Sequence, residues 1–335
     1  MPLIEAVQLH KTFQIPKRTP GLLSSLRSLV HRQYVTKVAV REISFAIDEG
    51  EMVGYIGPNG AGKSTTIKML TGILVPTSGR IDVCGIVPYL ERRKNAEQIG
   101  VVFGQRSQLW WDLPVIDSFE LLKRIYGVRD ERYRENMDWF CEILGLQDFL
   151  NTPVRQLSLG QRMRADVAAA LLHDPKILYL DEPTIGLDIV AKEKVRQFIR
   201  QMNREHGVTV ILTTHDMTEI EKLCSRMILI DRGEVVYDGG IAQVKERFGH
   251  SWTLVVEFES EPKQGLDLPL AWGAVRGREG SKFWIGYDRR QVSTSDLISF
   301  LSTRYAVKDL TVEEPDIETI LKELYTTGWR GEEVT

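Results

Sequence analysis

The segment "EMVGYIGPNGAGKSTTIKML", residues 51–70, constrains the fold more than any other. It sets an apolar strand pattern, a glycine-rich turn and a helix pattern in immediate succession, with the spacing G-x-x-x-x-G-K-[ST] between them. Glycines at such a turn let backbone N–H groups wrap an anion at the helix N-terminus. Gly57, Pro58, Asn59, Gly60, Ala61, Gly62, Lys63, Ser64 and Thr65 are therefore the expected phosphate cradle. Lys63 would bring a point charge to the β- and γ-phosphates, and the Ser64 hydroxyl is an expected Mg²⁺ ligand. The alternative is a glycine-rich strand-to-helix turn with no ligand. The full spacing, in the strand-then-helix context that the motif requires, argues against it.

The rest of the chain reads as strands alternating with helices. "IEAVQLHKTFQI" alternates like a strand, and "AVREISFAIDEGEMVGYIG" reads as paired strands with a turn at "DEG". "IGVVFGQ", "KILYLDEP", "GVTVILTTHD" and "RMILIDRGEVVYDG" are apolar strands, with a mostly helical region at about 107–175. This order implies an α/β sheet, mostly parallel. After Gly249 the texture changes. "SWTLVVEFE", "KFWIGYD" and "VKDLTVEEP" look like strands, interleaved with "SDLISFLSTRY" and "DIETILKELYTTG" as helices. The expected domains are 1–249 and a small α+β domain at 250–335. An insertion at about 16–37 opens with prolines and is rich in Lys and Arg, with Leu22, Leu23, Leu26, Leu29 and Val30 at helical spacing.

Composition excludes several classes. A net charge of −3 gives no global attraction to nucleic acid. Cys84, Cys141 and Cys224 lie far apart, which argues against a disulfide framework or a zinc site and fits a reducing compartment. The N-terminus lacks a signal-peptide pattern, and no apolar run approaches the ~18 residues needed to span a bilayer.

Polar residues gather at strand ends. "ILYLDEP" puts Asp181 and Glu182 at the end of an apolar strand, where the phosphates are expected. Asp181 would join the Mg²⁺ shell and Glu182 would polarise the attacking water, with a solvated turn as the bland reading. His215 closes "VTVILTTH" and Gln105 closes "IGVVFGQ". Each is a weak signal alone, but together with the phosphate loop they set polar residues at four strand ends of one sheet, and those form a site. "LSLGQ", residues 157–161, holds no proton donor or nucleophile suited to chemistry. Ser158 and Gln161 form the S-x-x-Q capping box of a following helix, whose start is also an anion site.

"GPNGAGKST", Gln105, "LSLGQ", "ILYLDEP", "GLD" (186–188) and His215 occur in the order seen in ATP-binding subunits of ABC transporters, and the chain resembles that family over roughly residues 3–240. The resemblance implies an α/β P-loop NTPase of ABC type, with a mixed sheet core and a helical subdomain, hydrolysing ATP with Mg²⁺. It implies catalytic roles for Lys63, Glu182 and His215, and metal contacts from Ser64, Gln105 and Asp181. "LSLGQ" looks like the signature motif, so that Ser158, Gly160 and Gln161 would bind the γ-phosphate held by an opposite subunit. The usual form is LSGGQ, and Leu159 replaces its first glycine. Asp188 resembles the residue that communicates between two ATP sites. Phe13 matches the aromatic that stacks on adenine, with Tyr34 as the other candidate.

The downstream domain resembles the tail of bacterial type 2 exporter ATPases, which serve drug, lipid and polysaccharide export. The basic insertion is similar in placement to the gate helix of O-antigen and teichoic-acid exporter ATPases, a solvated surface helix being the alternative. "SQLWWDLPV" follows Gln105 where such ATPases receive the coupling helices of a permease, although Trp110 and Trp111 also suit a core. The expected partners are membrane permease subunits and a second ATP-binding subunit, on the cytoplasmic face of the inner membrane, with no nucleic acid. A soluble ABC ATPase acting on nucleic acid or ribosomes is the competing class. Relatives of that kind carry long coiled coils or two cassettes, and this chain has neither pattern.

Overall fold

The structure is a computed structural model that describes residues 2–16, 34–104, 106–214, 216–262, 265–269 and 271–327. Two compact units make up the chain, Met1–Asp238 and Gly239–Thr335.

In the first unit, β1 (Ile4–Pro16) pairs antiparallel with β2 (Tyr34–Ile47). The next strand, β3 (Met52–Ile56), goes elsewhere, and β4 (Ser78–Val83) joins the other edge of β1. The expected pairing across "DEG" therefore does not form, although the chain turns there, with Glu51 N donating to Asp48 O at 3.3 Å. Burial explains the separation. β2 alternates exposed and buried residues, as suits a sheet with one wet face, whereas all five residues of β3 are buried.

β3 lies inside a six-stranded sheet of order β5-β6-β7-β3-β8-β9. Its other members are β5 (Ile99–Phe103), β6 (Ile177–Asp181), β7 (Thr209–Thr213), β8 (Arg226–Asp231) and β9 (Glu234–Gly240). The pairs β5–β6, β6–β7, β7–β3 and β3–β8 are all parallel. "RMILIDRGEVVYDG" is two strands rather than one, broken at Arg232 and Gly233, which both have positive φ (48 and 86).

The antiparallel sheet shares one apolar core with the parallel sheet and with helix α1 (Lys63–Leu70). Leu9, Ile43, Phe45, Tyr55, Ile67, Tyr179 and Ile228 belong to it, each buried. Fully burying a side chain of this size is worth roughly 1.5–3 kcal/mol. That core anchors the start of α1, which carries the phosphate loop.

The other helices of this unit are α2 (Arg92–Gln98), α3 (Val115–Tyr126), α4 (Asp130–Leu144), α5 (Leu159–Leu171), α6 (Ile189–His206) and α7 (Met217–Leu223). α3, α4 and α5 fill the region expected to be helical. Among the described residues no helix is long and apolar enough to cross a membrane.

The second unit holds α8 (Ile241–Phe248), β10 (Ser251–Phe258), β11 (Ala274–Glu279), β12 (Lys282–Asp288), α9 (Thr294–Arg304), β13 (Val307–Glu313) and α10 (Ile317–Thr327). Its sheet has the order β11-β12-β10-β13. Leu254, Val256 and Phe258 alternate along β10 and pack with Phe283, Ile285, Leu297 and Leu301. The division at Asp238/Gly239 falls before the expected 249/250 boundary. α8 packs against α10, and a Cβ on Gly249 would stand 3.3 Å from Ile320 Cδ1, so α8 goes with the second unit. β11 was not expected, because it is a largely exposed strand with no buried residue.

Candidate active site

The strand order assembles the site. Phe103, Asp181 and Thr213 stand opposite one another at the ends of β5, β6 and β7, and β3 lies on the far side of β7. The loop that leaves β3 thus emerges beside the carboxylate that closes β6. Ser64 Oγ donates to Asp181 Oδ2 at 3.4 Å, and the Thr213 hydroxyl donates to Asp181 Oδ1. Thr213 was not singled out from the sequence. The threonines before His215 were its signal, since a hydroxyl at a buried strand end needs a partner.

Gly57, Pro58, Asn59, Gly60, Ala61 and Gly62 form the turn between β3 and α1. Two of the glycines are sterically required. Gly62 has φ 111, and a Cβ there would stand 2.5 Å from Ala39 O. At Gly57 a Cβ would meet Ile230 O at 2.2 Å. Lys63 Nζ donates to Gly57 O (2.6 Å) and Pro58 O (3.2 Å), so the ammonium lies along the loop. Burial pulls its pKa below the ordinary lysine value, while the nearby Glu182 and Asp181 carboxylates push it back up. Thr65 follows Ser64 in the first turn of α1.

Glu182 is half-buried and held at φ 54, an uncommon conformation for a residue with a side chain. Its N–H donates to Thr213 O at 2.8 Å, fixing the bend at the end of β6. Gly104 approaches the same bend so closely that a Cβ would stand 2.5 Å from Glu182 O. Gln105 and His215 lie outside the described residues. Their neighbours Gly104 and Thr214 leave the ends of β5 and β7, the strands on either side of β6. Just beyond His215, Asp216 caps α7 and pairs with Lys192 of α6 at 3.3 Å. The buried Thr184 donates to the buried Glu219, joining the "DEPT" segment to α7.

Ser64 and Asp181 offer an all-oxygen donor set of a hydroxyl and a carboxylate, which fits Mg²⁺ held by few protein ligands together with phosphate oxygens. The arrangement can neutralise a phosphate chain with loop amides and Lys63, and can present a carboxylate to a water.

Phe13 is half-buried on β1 opposite Lys37 of β2, with Lys11 Nζ 5.3 Å from its ring centroid. It sits a short way along the ladder from Val40, whose side chain and the neighbouring Ala39 carbonyl face Gly62. Tyr34, at the last rung, is 51% exposed. The rest of the insertion, residues 17–33, lies outside the described residues. Its ends, Pro16 and residues 34–37, are strand, because the ladder continues to the pair Pro16–Tyr34.

"LSLGQ" caps α5 as its spacing implies. Ser158 Oγ accepts from Gln161 N at 3.2 Å, and Gln161 Oε1 accepts from Ser158 N at 2.9 Å. Ser158 is exposed. Leu159 has no positive φ and fits the first helical turn. Gly160 lies against α6, where a Cβ would stand 3.2 Å from Ala191 Cβ. Asp188 is the N-cap of α6, its Oδ1 accepting from Ala191 N at 2.8 Å.

Comparison with known proteins agrees with this geometry. The ABC transporter family matches residues 40–185, which run from β2 through the phosphate loop to the segment after Glu182. ABC transporter ATP-binding protein NatA of Bacillus subtilis is 36% identical over 239 residues, covering 71% of this chain and 92% of that protein. The linearmycin resistance ATP-binding protein LnrL of the same organism is 36% identical over 220 residues, covering 66% and 70%. A solved ATP-binding cassette, MJ0796, in a dimeric post-hydrolysis state bound to ADP and Pi, superposes with a TM-score of 0.59 at 27% identity over 71% of this chain and 98% of that one. The phosphate loop, the carboxylates at the end of β6 and the capped helix at "LSLGQ" are thus found in a chain homologous to these proteins along most of its length. The chain belongs to the ABC transporter family and is one of its ATP-binding, ATP-hydrolysing subunits.

Proposed function

We propose that this subunit powers export of a drug, lipid or polysaccharide through a separate membrane permease, docked as a peripheral subunit on the cytoplasmic face of the inner membrane. In this reading two such subunits, identical or related, pair head to tail. ATP then lies between the phosphate loop of one and the capped "LSLGQ" helix of the other. Lys63 and the loop amides hold the phosphates, while Ser64, Asp181 and Gln105 hold Mg²⁺, which supplies positive charge to the phosphate oxygens. Glu182 polarises the attacking water, with His215 near the γ-phosphate and Phe13 against adenine. Ser158, Gly160 and Gln161 meet the partner's nucleotide, so ATP acts as an adhesive between subunits.

The observation that carries the hydrolytic assignment is the Ser64–Asp181–Thr213 chain of hydrogen bonds, with the Glu182 carboxylate beside Lys63 at the end of the same strand. Export is supported by relatives named as the linearmycin resistance ATP-binding protein LnrL and as Nod factor export ATP-binding proteins. Docking is supported by a groove of about 300 Å³ whose lining includes Ile73, Val101, Arg106, Gln108 and Tyr126, and by the exposed Trp110 and Trp111.

The test is Glu182→Gln in the full chain. This variant should bind ATP, pair in its presence by light scattering, and lose hydrolysis by roughly 10²–10⁴-fold, the usual contribution of a general base. Near-normal hydrolysis would remove Glu182 from its role. Pairing indifferent to ATP would remove the adhesive.

A further inference from the structure

Leu159 stands where the resembled motif has glycine, and its side chain has a definite place. A Cβ on Gly186 would stand 2.7 Å from Leu159 Cδ2. Gly186, at φ 70, opens the turn "GLD" that follows the "DEPT" segment. Residue 186 therefore offers a hollow, and residue 159 fills it. The neighbouring contact tightens the same junction. Gly160 lets α5 approach α6, where a Cβ would stand 3.2 Å from Ala191 Cβ and 3.9 Å from Leu187 Cδ2. Leu187 is buried, and its N–H donates to Thr184 O at 3.2 Å. Ile185 N donates to Glu182 O at 3.3 Å. An unbroken path of contacts thus runs from the start of α5, through Leu159 and the "GLD" turn, to the backbone of Glu182. A glycine at position 159 has no atoms to make its second link.

We propose that Leu159 is a positioning residue that couples the two ATP sites of a pair through the body of each subunit. The inference rests on the head-to-tail reading above. Each subunit gives its "LSLGQ" helix to one site and its Glu182 to the other. A pull on the helix by nucleotide in the first site moves the "GLD" turn, and with it the carboxylate that serves the second. Packed side chains transmit such displacements because they cannot be compressed, and a physical coupling of this kind is tested by perturbing the contact itself.

The experiment measures ATP hydrolysis by the purified full chain against ATP concentration. The chains compared are wild type, Leu159→Ala and Leu159→Met. Alanine keeps the helix start but cannot reach Gly186, whereas methionine can. Wild type and Leu159→Met should show a Hill coefficient well above one. Leu159→Ala should fall to about one, with its maximal rate reduced less than about tenfold. A double-mutant cycle with Gly186→Ala adds a readout specific to the contact. The steric part of the Gly186→Ala defect should be relieved in the Leu159→Ala background, because the atom it collides with is gone.

Equal Hill coefficients in wild type and Leu159→Ala would overturn the inference, as would strict additivity in the cycle. The paired reading is scored separately, by ATP-dependent association of Glu182→Gln. If that variant pairs and Leu159→Ala remains cooperative, the coupling fails and the pairing stands. If it never pairs, the reading beneath the inference fails.

Discussion

Asp166 is a buried carboxylate, 5% exposed, on the helix that begins at "LSLGQ". Its Oδ1 accepts from Ser107 Oγ (2.8 Å) and from Gln108 N (3.1 Å), and its backbone carbonyl accepts from Gln108 Nε2 (2.9 Å). It therefore clasps the segment just after Gln105 to α5. Burial pushes its pKa up from 3.8 to about 6, against the hydrogen bonds from Ser107 and Gln108 and the charge of Arg162, which pull it down. The folded state thus holds the proton more tightly than the unfolded chain. Its stabilising contribution is complete below about pH 3.8 and is lost as the pH rises through about 6. At about 1.4 kcal/mol per unit, the loss comes to about 3 kcal/mol. Asp166→Asn keeps an acceptor oxygen and cannot ionise, so it lacks this component. Relative to wild type it should gain stability as the pH rises from about 3.8 to just above 6, by up to about 3 kcal/mol. Urea denaturation of both full-length chains at several pH values, followed by tryptophan fluorescence, measures the difference. Two stability curves that stay parallel across that window would show that Asp166 ionises as freely in the fold as in water.

Three further substitutions probe the phosphate loop. Lys63→Ala removes the ammonium beside Gly57 and Pro58. A charge-assisted contact is worth about 1.5–3 kcal/mol, so ATP affinity by calorimetry should fall roughly 10- to 100-fold. Unchanged affinity would mean that the ammonium does not reach phosphate. Gly62→Ala and Gly60→Ala both place a side chain at positive φ, but only position 62 also meets backbone, with Ala39 O at 2.5 Å. Gly60→Ala should cost about 1–2 kcal/mol in denaturation, and Gly62→Ala clearly more. Equal losses would show that the Ala39 carbonyl yields.

The six-stranded sheet was legible because β3, β6 and β7 are buried on both faces, and such strands are written as unbroken apolar runs. The same runs marked the strand ends, so Asp181 and Glu182 were found beside the loop they face. Pairing partners were harder to read. "DEG" announces a turn, but nothing local says whether the strands it joins share a sheet, and β2 and β3 do not. β4 and β11 were overlooked because little of either is buried, which leaves a weak hydrophobic signal. Thr213 and Asp166 act through partners more than thirty positions away, Asp181 and Ser107. Only the folded chain brings such pairs together. Leu159 was visible as a departure from a motif, yet its partner Gly186 was not.

The ladder of β1 and β2 carries its own consequence. It ends at Pro16 opposite Tyr34, so the two points where the chain leaves and re-enters the sheet are cross-strand neighbours. Whatever the chain writes between them has only to start and finish side by side. The entropic cost of closing such a loop grows with the logarithm of its length, about 0.6 kcal/mol for each doubling. Lengthening or rewriting that stretch is therefore cheap for the cassette. Selection could exchange one insertion for another at this junction while the machinery that burns ATP stayed as it was, and a protein engineer could place a reporter there on the same grounds.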